Sequence, residues 1–256
     1  MKKTLAITFL LILFNFAAAT THAMGVEIAV GGWYHSPGGS LAYDPDVSSD
    51  KLDLENDLGY EEEFRPTGRI KLDLPIFLPN FYFVGAPMEF EGKGNKNTGF
   101  TFGDETFDAN VDFDSKIQLD QYDIAVYYGI PMIKTATLGM LNIDLGLNLR
   151  IINFETEIDQ KDSGLSESES LSLPLPMVYL AVQLNPLDLL DIEAEFRGIA
   201  YNDNHLYSFI CRVKYQVFGP VFAAVGYRYD TINIDEQDVE VDLDFSGPIF
   251  EAGVIF

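Results

Sequence analysis

Cysteine is nearly absent from the 256 residues, and the single Cys211 excludes an intramolecular disulfide framework or a multi-cysteine metal site. Basic residues are also scarce: 16 Lys and Arg stand against 40 Asp and Glu, a formal charge of −24. Because nucleic-acid binding requires a basic surface, we expect no nucleic-acid partner. The sequence also contains no phosphate loop or dinucleotide fingerprint, and we expect no cofactor.

Long apolar runs are missing after residue 23, where none reaches the ~18 residues that a membrane helix needs. This excludes a helical membrane protein but not a β-barrel, in which alternation lowers the mean hydropathy. The beginning of the chain differs, because Lys2-Lys3 precede an apolar stretch over 4–16 and small residues continue to Ala23. This pattern predicts a secretory signal peptide over 1–23, with cleavage after Ala19 as the alternative, and a mature chain over 24–256.

Apolar and polar residues alternate through most of the mature chain, and most clearly over 141–151, where every odd residue is aliphatic. A period of two predicts β-strands. Short connections rich in Pro and Asn alternate with longer acidic ones, as in outer-membrane barrels. The sequence therefore predicts an all-β fold, a transmembrane up-and-down antiparallel barrel of about ten strands, with eight as the alternative.

Charged side chains gather on one face of these strands. This face carries Glu27, Arg69, Lys71, Asp73, Asp123, Asp144, Arg150, Asp191, Glu193, Glu195, Arg197, Arg212, Lys214, Arg228 and Glu251. Because a Lys or Arg facing lipid costs roughly 2–4 kcal/mol, we expect these side chains to line the lumen. The same period also fits a secreted soluble sandwich with its charged face in water, so further features must decide.

The signal peptide and the end of the chain favour the membrane interpretation. Phe250, Val254 and Phe256 alternate up to the last residue, which resembles the recognition signal of the outer-membrane assembly machinery. Aromatic residues also lie near the expected strand ends, where bilayer interfaces favour them: Phe81, Tyr82, Tyr127, Tyr128, Tyr215 and Phe218 at one rim, and Tyr34, Phe154, Tyr201, Tyr207 and Tyr229 at the other. We therefore expect a protein of the Gram-negative outer membrane, in contact with the lipid bilayer, lipopolysaccharide and that assembly machinery.

Several short motifs resemble an uncharacterised outer-membrane β-barrel family labelled as outer membrane protein with a GlyGly motif. They are the runs 52–59, 75–80, 120–124, 226–228 and 246–256. The glycine pair of the label corresponds to either Gly31-Gly32 or Gly38-Gly39. The resemblance implies an outer-membrane barrel and no assigned activity.

Three roles are compatible with a charged lumen. The favoured one is a structural or interaction protein whose lumen is filled by a paired charge network, because buried charges must be paired. A narrow pore or small-solute porin, with Arg150, Arg212 and Arg228 opposite the carboxylates, is the first alternative. An outer-membrane enzyme acting on lipid or peptide through His35 or His205 at the external rim is the second. Neither histidine has a distinctively spaced Ser or acid, so we assign no catalytic residue.

Acidic residues cluster in two of the longer connections, 44–63 and 235–244. Carboxylates are ligands for Ca²⁺ or Mg²⁺, which such connections could share with lipopolysaccharide phosphates. The order of an EF-hand loop is absent, however, and we assign no metal site. The favoured interpretation is a solvated, mutually repelling surface.

Overall fold

The computed structural model describes residues 24–43, 50–75, 78–236 and 239–256, so the expected signal peptide over 1–23 lies outside the described residues. Its strands are β1 (Gly25–Tyr43), β2 (Leu52–Asp53), β3 (Glu63–Asp73), β4 (Asn80–Ala86), β5 (Glu89–Asn95), β6 (Phe100–Phe102), β7 (Glu105–Phe107), β8 (Asp112–Gly129), β9 (Leu141–Gln160), β10 (Leu165–Leu187), β11 (Leu190–Tyr201), β12 (Asn204–Phe218), β13 (Val221–Glu236) and β14 (Val239–Ile255). One short helix, α1 (Ile133–Ala136), lies between β8 and β9. No helix in the described ranges is long and apolar enough to cross a membrane.

The barrel wall closes by antiparallel pairing of neighbours in the chain. β4 and β5 both pair with β8 and together form one wall strand, interrupted at Pro87 and Met88. β1 pairs with β3 on one side and with β14 on the other, from Glu27↔Ile255 to Tyr43↔Val239. Within the described part of the chain the wall therefore has ten strands, and the predicted ten-stranded antiparallel barrel is confirmed. The alternative of eight strands was wrong.

The two faces of the wall have the orientation that a membrane barrel needs. On β9, the outward Leu145 and Leu147 are 47% and 71% exposed, whereas the inward Arg150 is fully buried. On β8, Tyr122 and Ile124 face outward and the neighbouring Asp123 is buried. A soluble sandwich would bury the leucines and expose the arginine, so that alternative was wrong.

Beyond the apolar outer belt the wall reverses its polarity. A membrane β-strand needs ~9–11 residues, whereas β9 has 20 and β10 has 23. In the extra length of β8, Phe113, Ile117 and Leu119 point inward and are buried, while Lys116 and Asp120 lie on the outer face. We call this end, which carries the longer connections, the extracellular half, and the belted end the membrane half. The prediction that the aliphatic stripe faces lipid therefore holds for the membrane half and was wrong for the extracellular half.

Two segments fold over the extracellular end. Residues 50–62, which include β2, bury Leu54, Leu58 and Tyr60, and the β6–β7 hairpin buries Phe100 and Phe107. These side chains join one apolar cluster with inward residues of the wall. Burial also raises the pKa of the Tyr60 phenol.

Three of the aromatic residues expected at the rims point inward instead. Tyr82 and Tyr127 are buried in the membrane half, and Phe154 packs against the apolar cluster of the extracellular half. Tyr127 and Tyr128 are consecutive and must face opposite sides of the wall, so only Tyr128 can reach the interface. Tyr34, Tyr201 and Tyr229 do lie exposed on the outer face.

Candidate functional site: the charged lumen

A connected chain of ion pairs crosses the lumen of the membrane half. Twelve of the fifteen side chains expected there take part: Glu27, Arg69, Lys71, Asp123, Arg150, Glu193, Glu195, Arg197, Arg212, Lys214, Arg228 and Glu251. They project from eight wall strands, β1, β3, β8, β9, β11, β12, β13 and β14. The alternation that gives each strand one polar face thus brings them together at the centre.

The first part of the chain is centred on Arg150. Its Nε and Nη2 donate to the two carboxylate oxygens of Asp123 at 2.9 and 2.8 Å. Its Nη1 lies 3.7 Å from Oδ2 of Asp230, which accepts a second bidentate pair of hydrogen bonds from Arg228. The Arg228 guanidinium also lies over the Trp33 ring, 4.3 Å from its centroid, a cation–π contact. Bidentate geometry fixes these side chains in one arrangement.

The second part is centred on Arg212 and on two glutamates, Glu193 and Glu195, that lie on the same face of β11. Arg212 Nη1 donates to Glu195 Oε1 at 2.6 Å and to Glu193 Oε2 at 3.0 Å. Arg197 Nη2 donates to the other oxygen of Glu195 at 2.9 Å, and its Nε lies 3.9 Å from Asp123 Oδ2. Arg197 therefore joins this part to the first.

The third part lies at the seam where the barrel closes. Arg69 pairs with Glu27 of β1 and, through Nε at 3.0 Å, with Glu251 of β14. Lys214 lies between Glu27 and Glu193, at 3.1 and 3.6 Å, and Lys71 bonds Glu193. Arg69 of β3 thus joins the first and last strands of the wall, β1 and β14, on the lumen side.

The other three expected residues lie outside the ion-pair chain. Asp144 is buried and accepts hydrogen bonds from Asn142 at 2.9 Å and Gln183 at 3.5 Å. Asp73 accepts the Tyr127 hydroxyl at 2.9 Å. Asp191 is half-buried on β11.

Several lumen residues were not predicted from the sequence. Asp230 follows Arg228 by two residues on the same face, a signal that was available in the alternation. Asn148 donates to Asp123 at 2.6 Å, Gln121 accepts from Arg228 at 2.7 Å, and Tyr82 donates to Glu195 at 3.1 Å. These uncharged groups follow the same inward period and carry no charge signal of their own.

The ion pairs leave little free volume. The void beside Arg69, Arg212, Arg228 and Glu251 measures about 20 Å³, which is room for about one water molecule. The arrangement can neutralise buried charge and hold the wall strands in register.

The two histidines do not come together. His35 is fully buried among Trp33 and Phe90, whose ring centroids lie 4.6 and 5.0 Å away, and neither of its nitrogens has a hydrogen-bond partner among the described residues. His205 stacks on Tyr207 at 5.0 Å, on a face of β12 that alternation directs outward. The two side chains thus belong to opposite faces of the wall.

The acidic segments use several carboxylates to stabilise turns. Asp53 accepts the backbone N–H groups of Glu55 and Asn56, and Asp57 pairs with Lys96 at 3.2 Å. In β14, burial and the neighbouring Asp242 charge raise the pKa of Asp244. Asp44, Asp46 and Asp238 of the expected clusters lie outside the described residues.

Two further expectations from the sequence concern metal ligands and the assembly signal. Across the described ranges, no group of three or more His, Cys, Asp or Glu side chains could hold a metal ion. Phe250 and Phe256 are 51% and 52% exposed on the outer side of the last strand, and Val254 is half-buried.

Comparison with known proteins bears on the fold. No protein-family model matches the chain, and no curated protein matches it significantly. Among solved structures, the outer membrane protease OmpT from Escherichia coli superimposes with a TM-score of 0.54 at 9% identity, covering 93% of this chain and 99% of OmpT. The translocator domain of the autotransporter NalP from Neisseria meningitidis gives 0.45 at 10% identity, covering 100% and 96% of the two chains. Ail of Yersinia pestis gives 0.36 at 10% identity, covering 92% and 100%.

A closed antiparallel barrel with an apolar belt, a charged lumen and the fold of OmpT defines the class of protein. The chain is an integral outer-membrane β-barrel.

Proposed function

We propose that this chain is a non-conducting outer-membrane barrel whose membrane half is a sealed anchor and whose extracellular half carries its role in binding. The observation that supports this most directly is the connected ion-pair chain, which runs from Arg228 on β13 to Glu27 on β1. Separating these partners to open a path would leave charges without counter-charges in a low-dielectric interior, so the network favours the closed arrangement.

The test is ion conductance across planar lipid bilayers, with a general porin reconstituted in the same way as the positive control. We expect the purified barrel to insert and to pass no ions. A barrel in which residues 51–61 and 97–110 are replaced by short Gly-Ser linkers is expected to stay silent too, because its network is intact. Adding Arg150→Gly, Glu195→Gly and Arg197→Gly to that shortened barrel is expected to open it.

Two results would contradict the proposal. Single channels from the intact barrel would favour the small-solute porin. Channels from the shortened barrel with an intact network would show that the extracellular segments, not the ion pairs, form the seal.

The outer face suggests which partners the anchor meets. The exposed Phe250 and Phe256 at the end of the last strand support recognition by the outer-membrane assembly machinery. Contact with lipopolysaccharide, and divalent cations shared with it at the acidic segments, stay predictions. For a rim enzyme the two histidines offer no pair on one face, and we do not propose one.

A further inference from the structure

The extracellular half encloses an apolar cavity. It has a volume of about 430 Å³ and lies between the wall and the β6–β7 hairpin, lined among others by Phe102, Leu119, Phe154, Leu173, Leu175 and Leu243. This volume falls within the range of small-molecule sites, roughly 300–1,000 Å³. Protein interiors are close-packed and hold few voids larger than a water molecule. Its lining is mostly aliphatic and aromatic, and apolar cavities bind apolar molecules.

The wall is open beside this cavity. Pairing between β10 and β11 stops at Val178↔Gly198, although β10 continues for thirteen more residues, to Leu165, paired only with β9. Pro174 and Pro176 lie in this stretch. Proline has no backbone N–H to donate, so a strand tolerates it where that backbone position faces away from the paired strand. At Pro174 and Pro176 this position faces β11 and not the paired strand β9. The two prolines therefore keep the gap from closing by hydrogen bonds.

The unpaired stretch of β10 lies between the cavity and the outer surface. An apolar groove of about 520 Å³ lies on the outer face at this point, lined by Pro176, Val178, Phe196 and Tyr207 among others. Pro176 borders the groove and the preceding Leu175 borders the cavity, so consecutive residues of β10 line the two. Val178 pairs with Leu147 of the lipid-facing belt, so the groove begins within the belt and is in contact with lipid.

Charge at the cavity restricts what it can hold. Glu169 borders it and accepts the Tyr43 hydroxyl at 2.8 Å. The whole chain carries a formal charge of −24. An anionic head group would be repelled here, whereas an uncharged chain would replace solvent against leucine and phenylalanine side chains.

We propose that the extracellular cavity binds an uncharged alkyl-chain molecule, which reaches it from the outer leaflet through the gap between β10 and β11. The proposal deepens the proposed function, since it assigns a ligand class to the extracellular half. Ligand binding does not depend on whether the lumen conducts. A barrel that conducts and binds the alkyl-chain molecule would contradict only the sealed lumen. A barrel that neither conducts nor binds it would contradict only the ligand proposal.

The test uses Trp33 as a fluorescence donor, because it is the single tryptophan and belongs to the same apolar cluster as Leu119 and Leu243. The barrel is reconstituted in phosphatidylcholine vesicles and titrated with N-phenylnaphthylamine, an uncharged acceptor. We expect saturable energy transfer that dodecanol reverses and dodecanoate reverses at least ~10-fold more weakly. Absence of a saturable component, or equal competition by dodecanoate, would overturn the proposal.

Paired variants locate the site. Leu173→Phe with Leu175→Phe fills the cavity, whereas Leu145→Phe with Leu149→Phe makes the same change on the lipid face. We expect the filled barrel to bind at least ~10-fold more weakly and the lipid-face variant to bind normally. Heat-modifiable gel migration shows that each variant is folded. Equal binding by the two folded variants would remove the cavity as the site.

A second pair tests the route. Ala200→Glu places a carboxylate in the outer groove, and Ser172→Glu places one on the outer face of β10 beyond it. In stopped-flow mixing we expect Ala200→Glu to slow association while Ser172→Glu does not. An unchanged rate in Ala200→Glu would contradict access through the gap.

Discussion

Strand β9 keeps one alternation from Leu141 to Gln160, yet its two halves bury opposite kinds of side chain. In the membrane half it turns Arg150 inward and Leu147 outward. In the extracellular half it turns Ile152 and Ile158 inward and leaves Glu155 and Glu157 outside. Neighbouring β8 reverses at the same height, between Asp120 and Tyr122 on its outer face.

The reversal follows from what surrounds the wall. In the bilayer an apolar outer face is energetically favourable, and charged side chains turn into the lumen, where they must be paired. In water beyond the bilayer a polar outer face is energetically favourable, and the hydrophobic effect turns apolar side chains inward. The membrane half is therefore held by directional ion pairs and the extracellular half by apolar packing. The cavity lies in the extracellular half, where the apolar packing leaves more free volume than the ion pairs leave in the membrane half.

The largest effect is expected from breaking one ion pair of the membrane half. Arg150→Met removes the bidentate partner of Asp123, leaving Asn148 at 2.6 Å and Arg197 at 3.9 Å. We expect the free energy of unfolding to fall by about 3–5 kcal/mol, because a buried carboxylate loses its main counter-charge. Urea titration of the barrel in phospholipid vesicles measures it.

Two controls accompany that variant. Lys116→Met removes a partly exposed pair on the extracellular outer face and should cost no more than ~1 kcal/mol. Adding Asp123→Leu to Arg150→Met removes both charges and should restore much of the loss. Equal effects of Arg150→Met and Lys116→Met would contradict the contrast between the two halves.

The next effect comes from placing one charge on the outer face at two heights of β9. Leu147→Arg lies in the apolar belt and should lower the free energy of unfolding by about 2–4 kcal/mol, since the guanidinium meets hydrocarbon. Glu155→Arg lies beyond the belt and should cost about 0–1 kcal/mol. The same urea titration compares them. Similar losses would mean that the bilayer edge does not fall between these residues.

The fold and most of the lumen residues could be predicted from the sequence, because a period of two assigns each residue to a face before the neighbouring strands are known. Asp123 and Arg150 could thus be placed on one face before any pairing was known. Which surface meets lipid was predicted from the expected signal peptide, the terminal alternation up to Phe256 and the aromatic residues near the strand ends.

The reversed polarity of the wall in the extracellular half could not be predicted, and the reason is physical. Period two gives the same pattern whether the apolar face meets lipid or a core, so Ile117 and Phe154 look like lipid-facing residues. The outer positions of β9 do change, from Leu149 and Ile151 to Asn153 and Glu155, and this change marks the boundary. The gap at Pro176 depends on where β11 ends its pairing, a long-range register that local pattern does not contain.

The smallest effect separates packing from solvation within one strand. Ile117→Val removes a methyl group from the extracellular cluster, where Ile117 is 3% exposed. Ile124→Val removes one from the belt, where Ile124 is 37% exposed to lipid. We expect the first to lower the free energy of unfolding by about 0.5–1.5 kcal/mol, because a packed core leaves a cavity. The second should change it little, because lipid chains as apolar as leucine fill the space. The difference between the two urea midpoints measures the contrast. A larger loss from Ile124→Val would mean that the belt, not the extracellular half, is the tightly packed apolar surface of this barrel.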